Sequence, residues 1–189
     1  MEFEILGWPP DGPKLRLDHE RFSYAGKFVM TNTGKAVARV DGEIVAAVAF
    51  NEDRTDDATV WLRYVTVARE KRGEGIGPRL VGFVRDRVLD RDYDRLKIAV
   101  NNPYAYEALA RVGFEFTGET TGLAELVLEF PPTVYPSGEG RRASRIDPTL
   151  YREGLEEFLA RDLTPDERSF VESRNERGPP APRDGGEYR

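Results

Sequence analysis

RGEGIGPRL, residues 72–80, sets glycine at positions 73, 75 and 77, and the runs on either side decide how the stretch folds. Upstream, TVWLRYVTV (59–67) is rich in β-branched and aromatic residues and reads as a strand. Downstream, Ile76, Leu80, Phe83, Val84 and Val88 recur at helical spacing within Ile76–Leu89 and make one buried face. The glycines therefore occupy a strand-to-helix turn. Glycine there removes the Cβ and opens torsions closed to other residues, so the backbone can come close to a neighbour. A helix N-terminus also presents unpaired N–H groups and a partial positive charge, which suits a phosphate or pyrophosphate.

Further out, Ala36–Val40 and Glu43–Phe50 are β-rich runs joined by Asp41-Gly42, a strong two-residue hairpin signal. Ile44–Phe50 is apolar at both parities, so that strand is expected to be covered on both faces. Asn51–Asp57 is polar and acidic and reads as a loop. On the other side of the turn, Leu96, Ile98 and Val100 alternate as a strand. Ala105, Ala108, Leu109 and Val112 follow at helical spacing, closed by Gly113, and Leu126, Leu128 and Phe130 alternate again before Pro131-Pro132.

Both ends of the chain carry weaker patterns. Glu2–Trp8 reads as a strand, and Asp18–Met30 as a helix with Phe22, Ala25 and Val29 on one face. After Pro131 the composition shifts to the polar, glycine-bearing 134–144. Asp147-Pro148 then opens a helix with a stripe of Tyr151, Leu155, Phe158 and Leu159. Thr164-Pro165-Asp166-Glu167 is the signature of a capping box starting another helix. The organisation expected is a main domain over 1–130, a helical extension over 131–175 and a disordered tail over 176–189, which has almost nothing to bury. The stripe in the extension could dock on its own domain, pair with a second subunit as a homodimer or bind a partner; self-docking is the expectation.

Composition excludes several functions. The 189 residues suit one ordinary domain with extra length, and the formal net charge of −6 lacks the basic footprint of a nucleic-acid binder. Cysteine is absent, which removes disulfides, thiolate metal sites and a cysteine nucleophile. His19, the one histidine, cannot alone supply a zinc site, and no metal is expected. Ile44–Phe50, the longest apolar run, is far too short to span a bilayer, so the chain reads as soluble and cytoplasmic.

Three families use glycine-rich turns before helices. The P-loop needs a lysine after its glycines, and none follows here. The dinucleotide pattern GxGxxG starts well at Gly73, but its third glycine falls on Pro78. Arg72-Gly73-Glu74-Gly75-Ile76-Gly77 matches RxxGxG. With its flank YVTVAREKRGEGIGPRL, and with NNPYAYEALARVGFEFTGE at Asn101–Glu119, the chain resembles the GNAT superfamily of acyl-CoA-dependent N-acyltransferases over about residues 36–130.

The resemblance implies an α/β fold of the α+β kind, a mixed and mostly antiparallel central sheet flanked by helices, here with a C-terminal helical extension. It implies acetyl-CoA as co-substrate and transfer of its acetyl group to a primary amine by direct attack on the thioester. Val65 and Val67 would pair with the pantetheine arm, with the Val67 N–H aimed at the thioester carbonyl. Arg72, Gly73, Glu74, Gly75, Ile76 and Gly77 would hold the pyrophosphate through backbone amides. Arg79 could add charge, and Asn102 would bond near the pantetheine, with Asn101 as the register alternative. Pro78 removes one N–H from the cradle, although proline suits a first helical turn.

Two side chains often linked to this chemistry are missing: Trp61 stands where some members carry a glutamate base, and Leu109 where many carry a tyrosine acid. Tyr106, one turn before Leu109, could substitute as thiolate donor, with Tyr104 as fallback; aromatic packing is the competing reading for both. For the base, Glu52, Asp53, Asp56 and Asp57 lie on the loop entering the Thr59–Val67 strand, Glu52 foremost; solvation of that loop competes for each. Arg63 and Tyr64, adjacent on one strand, are expected to point to opposite faces. The alternative function is a noncatalytic acyl-CoA-binding or regulatory module that kept the cradle and lost the acid and base.

Overall fold

The computed structural model describes residues 1–131 and 146–181. The polar 134–144 stretch and the end of the expected disordered tail, 182–189, lie outside the described residues. The described residues divide into two compact units, one over Met1–Leu96 and one that begins at Lys97. With seven strands, mostly antiparallel, and four α-helices among the described residues, the fold is α/β as expected.

The first unit holds β1 (Glu2–Gly7), β2 (Gly34–Val40), β3 (Glu43–Glu52), β4 (Thr59–Val67) and α1 (Ile76–Leu89), the strands lying in that order with antiparallel neighbours. The β2–β3 hairpin turns on Asp41 (φ 50°) and Gly42 (φ 82°). Both central torsions are positive, the geometry whose twist matches that of the flanking strands. Val45–Phe50 is buried at every position, so β3 is covered on both faces. β3 runs to Glu52, two residues into the expected loop. Helix α1 has the bounds expected from periodicity and packs against β1–β4 through Leu80, Val84 and Val88, each fully buried.

The segment expected as a helix over Asp18–Met30 is instead a bend followed by one short 3₁₀ turn, Ala25–Val29. Tyr24 is left-handed at φ 60°, which no continuous helix passes through. The buried residues are Phe22, Ala25 and Phe28, every third position, and Val29 is exposed. That spacing matches the three residues per turn of a 3₁₀ helix. Phe28 packs with Leu15, Val37, Ala47 and Ala49, while Phe22 and Ala25 pack on Ala68.

The second unit holds β5 (Arg95–Val100, which begins at the boundary), α2 (Pro103–Ala110), β6 (Glu115–Thr120), β7 (Leu126–Phe130), α3 (Pro148–Leu159) and α4 (Pro165–Arg177). The strand order is β5-β7-β6, and β6 and β7 are antiparallel. β6 was not read from periodicity; its inward residues are only Glu115 and Phe116, after which it becomes exposed. Asp147 caps α3 by accepting from the N–H groups of Thr149 and Leu150. Thr164 and Glu167 close the expected capping box at α4. Tyr151, Leu155 and Phe158 are buried, so the stripe of α3 is covered within its own unit, where α3 packs on β6 and α4. A buried carboxylate strengthens that docking: Glu107 of α2 accepts from the Tyr151 hydroxyl and pairs with Arg111 (3.1 Å) and Arg174 (3.4 Å).

Candidate active site

The glycine turn owes its shape to two different uses of glycine. Gly73 (φ 85°) and Gly75 (φ 73°) are left-handed, and a Cβ built on either would meet nothing within 4 Å. The turn is therefore open on its outer side. Gly77 has ordinary torsions, but a Cβ there would stand 3.3 Å from Val67 Cγ2, so this glycine lets α1 start close against the end of β4. Gly75 is the N-cap of α1 and no side chain caps the helix. Ile76 is buried and anchors the first turn, while its main chain stays at the open end.

The side chains around the turn brace it. Arg72 donates from Nε to the Val67 carbonyl (3.3 Å) and from Nη2 to Ser23 Oγ (2.8 Å). Its own N–H is spent on the Arg69 carbonyl (3.4 Å). Glu74 pairs with Lys71 at 3.5 Å. Arg21 ties the N-terminal segment to the same region through Glu70 (2.5 Å) and a main-chain bond from Arg69 N–H to the Arg21 carbonyl (2.9 Å). Arg79 lays its guanidinium over the Phe3 ring, 5.7 Å from the centroid. A 14-residue helix with an uncapped, glycine-lined N-terminus fits a bound diphosphate.

The ladder between β3 and β4 fixes where Val65 and Val67 aim. Ala68 N–H donates to the Val45 carbonyl at 2.8 Å, so those two residues form a hydrogen-bonded pair. Pairs alternate along an antiparallel ladder. Val67 opposite Ala46, and Val65 opposite Val48, are therefore the non-bonded pairs, and their N–H groups point away from β3.

On the first unit a cleft of about 500 Å³ opens beside β3 and β4. Asn51, Asp53, Trp61, Arg63 and Tyr64 line it, with Met30 and Thr33 on its rim. Arg63 and Tyr64 both face it, contrary to strict alternation. The register slips between Ala49 opposite Tyr64 and Phe50 opposite Leu62, so Arg63 has no partner on β3. That extra residue is a β-bulge, which turns two consecutive side chains to one side.

The acids of the neighbouring loop mostly hold the loop itself. Asp53 accepts from the Thr55 amide and hydroxyl (2.8 Å each) and from the Trp61 indole, and these bonds lower its pKa to about 2. Asp56 takes the Ala58 amide (3.1 Å) and the Thr59 hydroxyl (2.7 Å), which lower its pKa as well. Glu52, the leading candidate for the base, is not among the residues lining the cleft, although its neighbours Asn51 and Asp53 are. Its carboxylate accepts the Tyr93 hydroxyl at 2.5 Å, whose pKa burial and this bond raise to about 12. Alternation at the end of β3 thus turns Glu52 away from the cleft.

In the second unit, Asn102 is the N-cap of α2: its Oδ1 accepts the Ala105 N–H at 2.8 Å. Its Nδ2 donates to Asn101 Oδ1 at 3.4 Å and keeps a second N–H for another ligand. Tyr106, the candidate thiolate donor, is 2% exposed and donates to the Tyr151 carbonyl at 3.0 Å. Burial raises its pKa, and the hydroxyl belongs to the packing of α2 on α3. These contacts favour the competing reading of Tyr106 as aromatic packing over a role as thiolate donor. Tyr104 is exposed and lies against Phe170, with ring centroids 4.6 Å apart.

A model of the acetyltransferase (GNAT) family matches residues 3–114, more than half of the chain. The chain belongs to the GNAT acetyltransferase family. As a member it is an acyl-CoA-dependent acetyltransferase, with an acyl-CoA as co-substrate. No curated protein matches this GNAT chain. Solved structures with similar folds include an N-acetyltransferase from Staphylococcus aureus Mu50, at 16% identity over 52% of this chain and 67% of that one, TM-score 0.47. The ribosomal-protein-S18-alanine N-acetyltransferase of Escherichia coli is 16% identical over 57% and 72%, TM-score 0.45. The PaiA N-acetyltransferase of Thermoplasma acidophilum, in complex with coenzyme A, is 14% identical over 50% and 58%, TM-score 0.44. The family assignment rests on the sequence match. Among the described residues of this acetyltransferase, no helix is long and apolar enough to cross a membrane.

Proposed function

We propose that this GNAT acetyltransferase moves an acetyl group from acetyl-CoA to a primary amine by direct attack on the thioester, working in the cytoplasm. Its acyltransferase domain is assigned to residues 1–130, followed by a helical extension over 131–175 and a tail over 176–189. The observation that carries the reading is the uncapped N-terminus of α1, opened by Gly73 and Gly75 beside an edge of β4 whose Val65 and Val67 amides face away from β3. When bound, the coenzyme supplies a thioester carbonyl open to an amine.

The residues of the chain divide the remaining work. The amides of 73–77 hold the diphosphate, and Arg72 keeps the turn against Val67. The Val67 N–H is the donor placed to stabilise negative charge on the carbonyl oxygen, a type of contribution worth about 10²–10³ in rate when one such donor is removed. The family resemblance alone assigns Asn102 to the pantetheine. The cleft beside β4 receives the amine. With Tyr106 enclosed and Glu52 turned away, positioning and the backbone donor carry the rate; as the C–N bond forms and the C–S bond breaks, solvent takes the amine proton and protonates the departing coenzyme A thiolate.

Calorimetric titration with coenzyme A, followed by free-thiol release from acetyl-CoA across a panel of amines, tests the proposal. Saturable coenzyme binding and amine-dependent thiol release are expected. Tight binding with slow thioester loss that ignores the amine would instead favour the noncatalytic module, and absence of binding would end both readings.

A further inference from the structure

The cleft beside β4 has an unusual charge pattern for a chain of net charge −6. Arg54 and Arg63 both line it. Arg63 is held rather than loose: its Nε donates to Asn51 Oδ1 at 2.6 Å and its guanidinium lies over the Trp61 ring, 5.0 Å from the centroid. Only one face and one N–H are used in that arrangement. Asp53, the acid in the same cleft, accepts from Thr55 and Trp61 and stays ionised, so its charge is felt by Arg63, but among the described residues no carboxylate comes within ion-pair distance of Arg63 or Arg54, and the two guanidiniums outnumber it.

Behind the rim, Lys35 adds a third cation. It is fully buried, and its ammonium donates to the carbonyls of Met30 and Thr33 and to the Thr33 hydroxyl, each at 2.7 Å. All three partners are neutral, so its charge is not cancelled locally. Arg63 is exposed and lines the cleft, and a guanidinium fixed by stacking and one hydrogen bond is preorganised for a planar anion such as a carboxylate. The volume of about 500 Å³ suits a small molecule.

We propose that the amine accepted by this enzyme is a small molecule that also carries a carboxylate, and that Arg63, brought into the cleft by the β4 bulge and steadied by Asn51 and Trp61, binds that carboxylate. The inference deepens the acetyl-transfer reading and rests on it for the identity of the cleft as the acceptor site. It makes Arg63 a specificity determinant: the carboxylate holds one end of the acceptor and leaves the amine free to reach the thioester.

The test is binding first and turnover second. N-acetylated α-, β- and γ-amino acids, each paired with its uncharged amide, are titrated calorimetrically into the whole chain and into Arg63→Gln and Arg63→Lys. At least one carboxylate is expected to bind tenfold or more tightly than its amide. Arg63→Gln is expected to bring that pair within twofold, with coenzyme affinity and circular dichroism unchanged. Arg63→Lys keeps the charge without the fork and should fall between. Equal binding of acids and amides by the native chain, or discrimination that survives in Arg63→Gln, overturns the proposal. Turnover of the parent amines separates the two readings. Charge-selective binding without acetyl transfer removes the transferase reading and leaves the anion site standing, whereas transfer to amines regardless of charge does the reverse.

Discussion

The Tyr106 hydroxyl donates to the main-chain carbonyl of Tyr151 at 3.0 Å, across the packing of α2 on α3. Gly154 makes this approach feasible: a Cβ on it would stand 2.2 Å from the Tyr106 hydroxyl oxygen and 2.6 Å from Cζ. Gly154→Ala should therefore force the buried ring to move, at a cost of about 1–3 kcal/mol typical of overpacked cores. Tyr106→Phe should cost about 1 kcal/mol through the lost hydrogen bond and leave turnover unchanged. Urea unfolding and thiol-release rates check both; a large fall in kcat for Tyr106→Phe would return that residue to the chemistry.

Gly75 and Gly42 allow the backbone cost of a left-handed glycine to be separated from its use. Both are left-handed, at φ 73° and 82°, and neither has an atom within 4 Å of a built Cβ. Alanine at either should destabilise by about 1–2 kcal/mol. Only Gly75→Ala should also weaken coenzyme A binding, because only its methyl would project where the diphosphate is proposed to sit. Parallel calorimetry on the two variants decides the point; equal coenzyme affinity would sink the cradle.

Asp53 should leave a mark on acid stability. Its folded pKa is about 2 against an ordinary 3.8, through bonds from Thr55 and Trp61. Below the folded value both states hold the proton, and between the two values the unfolded chain binds more protons than the native one. Its contribution is thus present in full above pH 3.8 and is lost as pH falls through about 2. Asp53→Asn should flatten that part of the stability curve, which urea midpoints taken at stepped acid pH would reveal.

Lys35 predicts the opposite end of the scale. Burial lowers its pKa from 10.5, so on raising the pH the native chain releases the proton before the unfolded one does. The unfolded state then binds more protons, and stability from this group climbs with pH until 10.5 is passed. Lys35→Met should lack that climb. At neutral pH it should be destabilised by about 1–3 kcal/mol, since the carbonyls of Met30 and Thr33 lose their donor. Unfolding curves at neutral and alkaline pH compare the two proteins.

Much of this was legible along the chain because the relevant physics is local. The period of Leu80, Val84 and Val88 defined α1 to the residue, Asp41-Gly42 marked a turn with two positive torsions, and Thr164 with Glu167 announced a capping box. Each signal involves groups within a turn or two of one another. The glycine turn was readable for the same reason, as the torsions of Gly73 and Gly75 and the start of α1 lie within a few residues.

What escaped that reading depends on partners distant in sequence. The segment around Tyr24 carries apolar residues at spacings that fit either helix type; burial against Ala68 and against the Val37, Ala47 and Ala49 cluster selected the tighter one. Arg63 entered the cleft because β4 holds one residue more than β3 can pair, a mismatch that period-two alternation cannot express. Tyr106 stayed a candidate acid while only α2 was in view; α3, more than forty positions on, enclosed it. Torsions, caps and periodicity are set by neighbours in the chain, and so composition and order alone yielded the family and the open glycine turn before α1. Register, enclosure and the pairing of charges are set by whichever segments meet when the chain collapses, and so the cleft beside β4 and the surroundings of Glu52 and Tyr106 came only with the folded molecule.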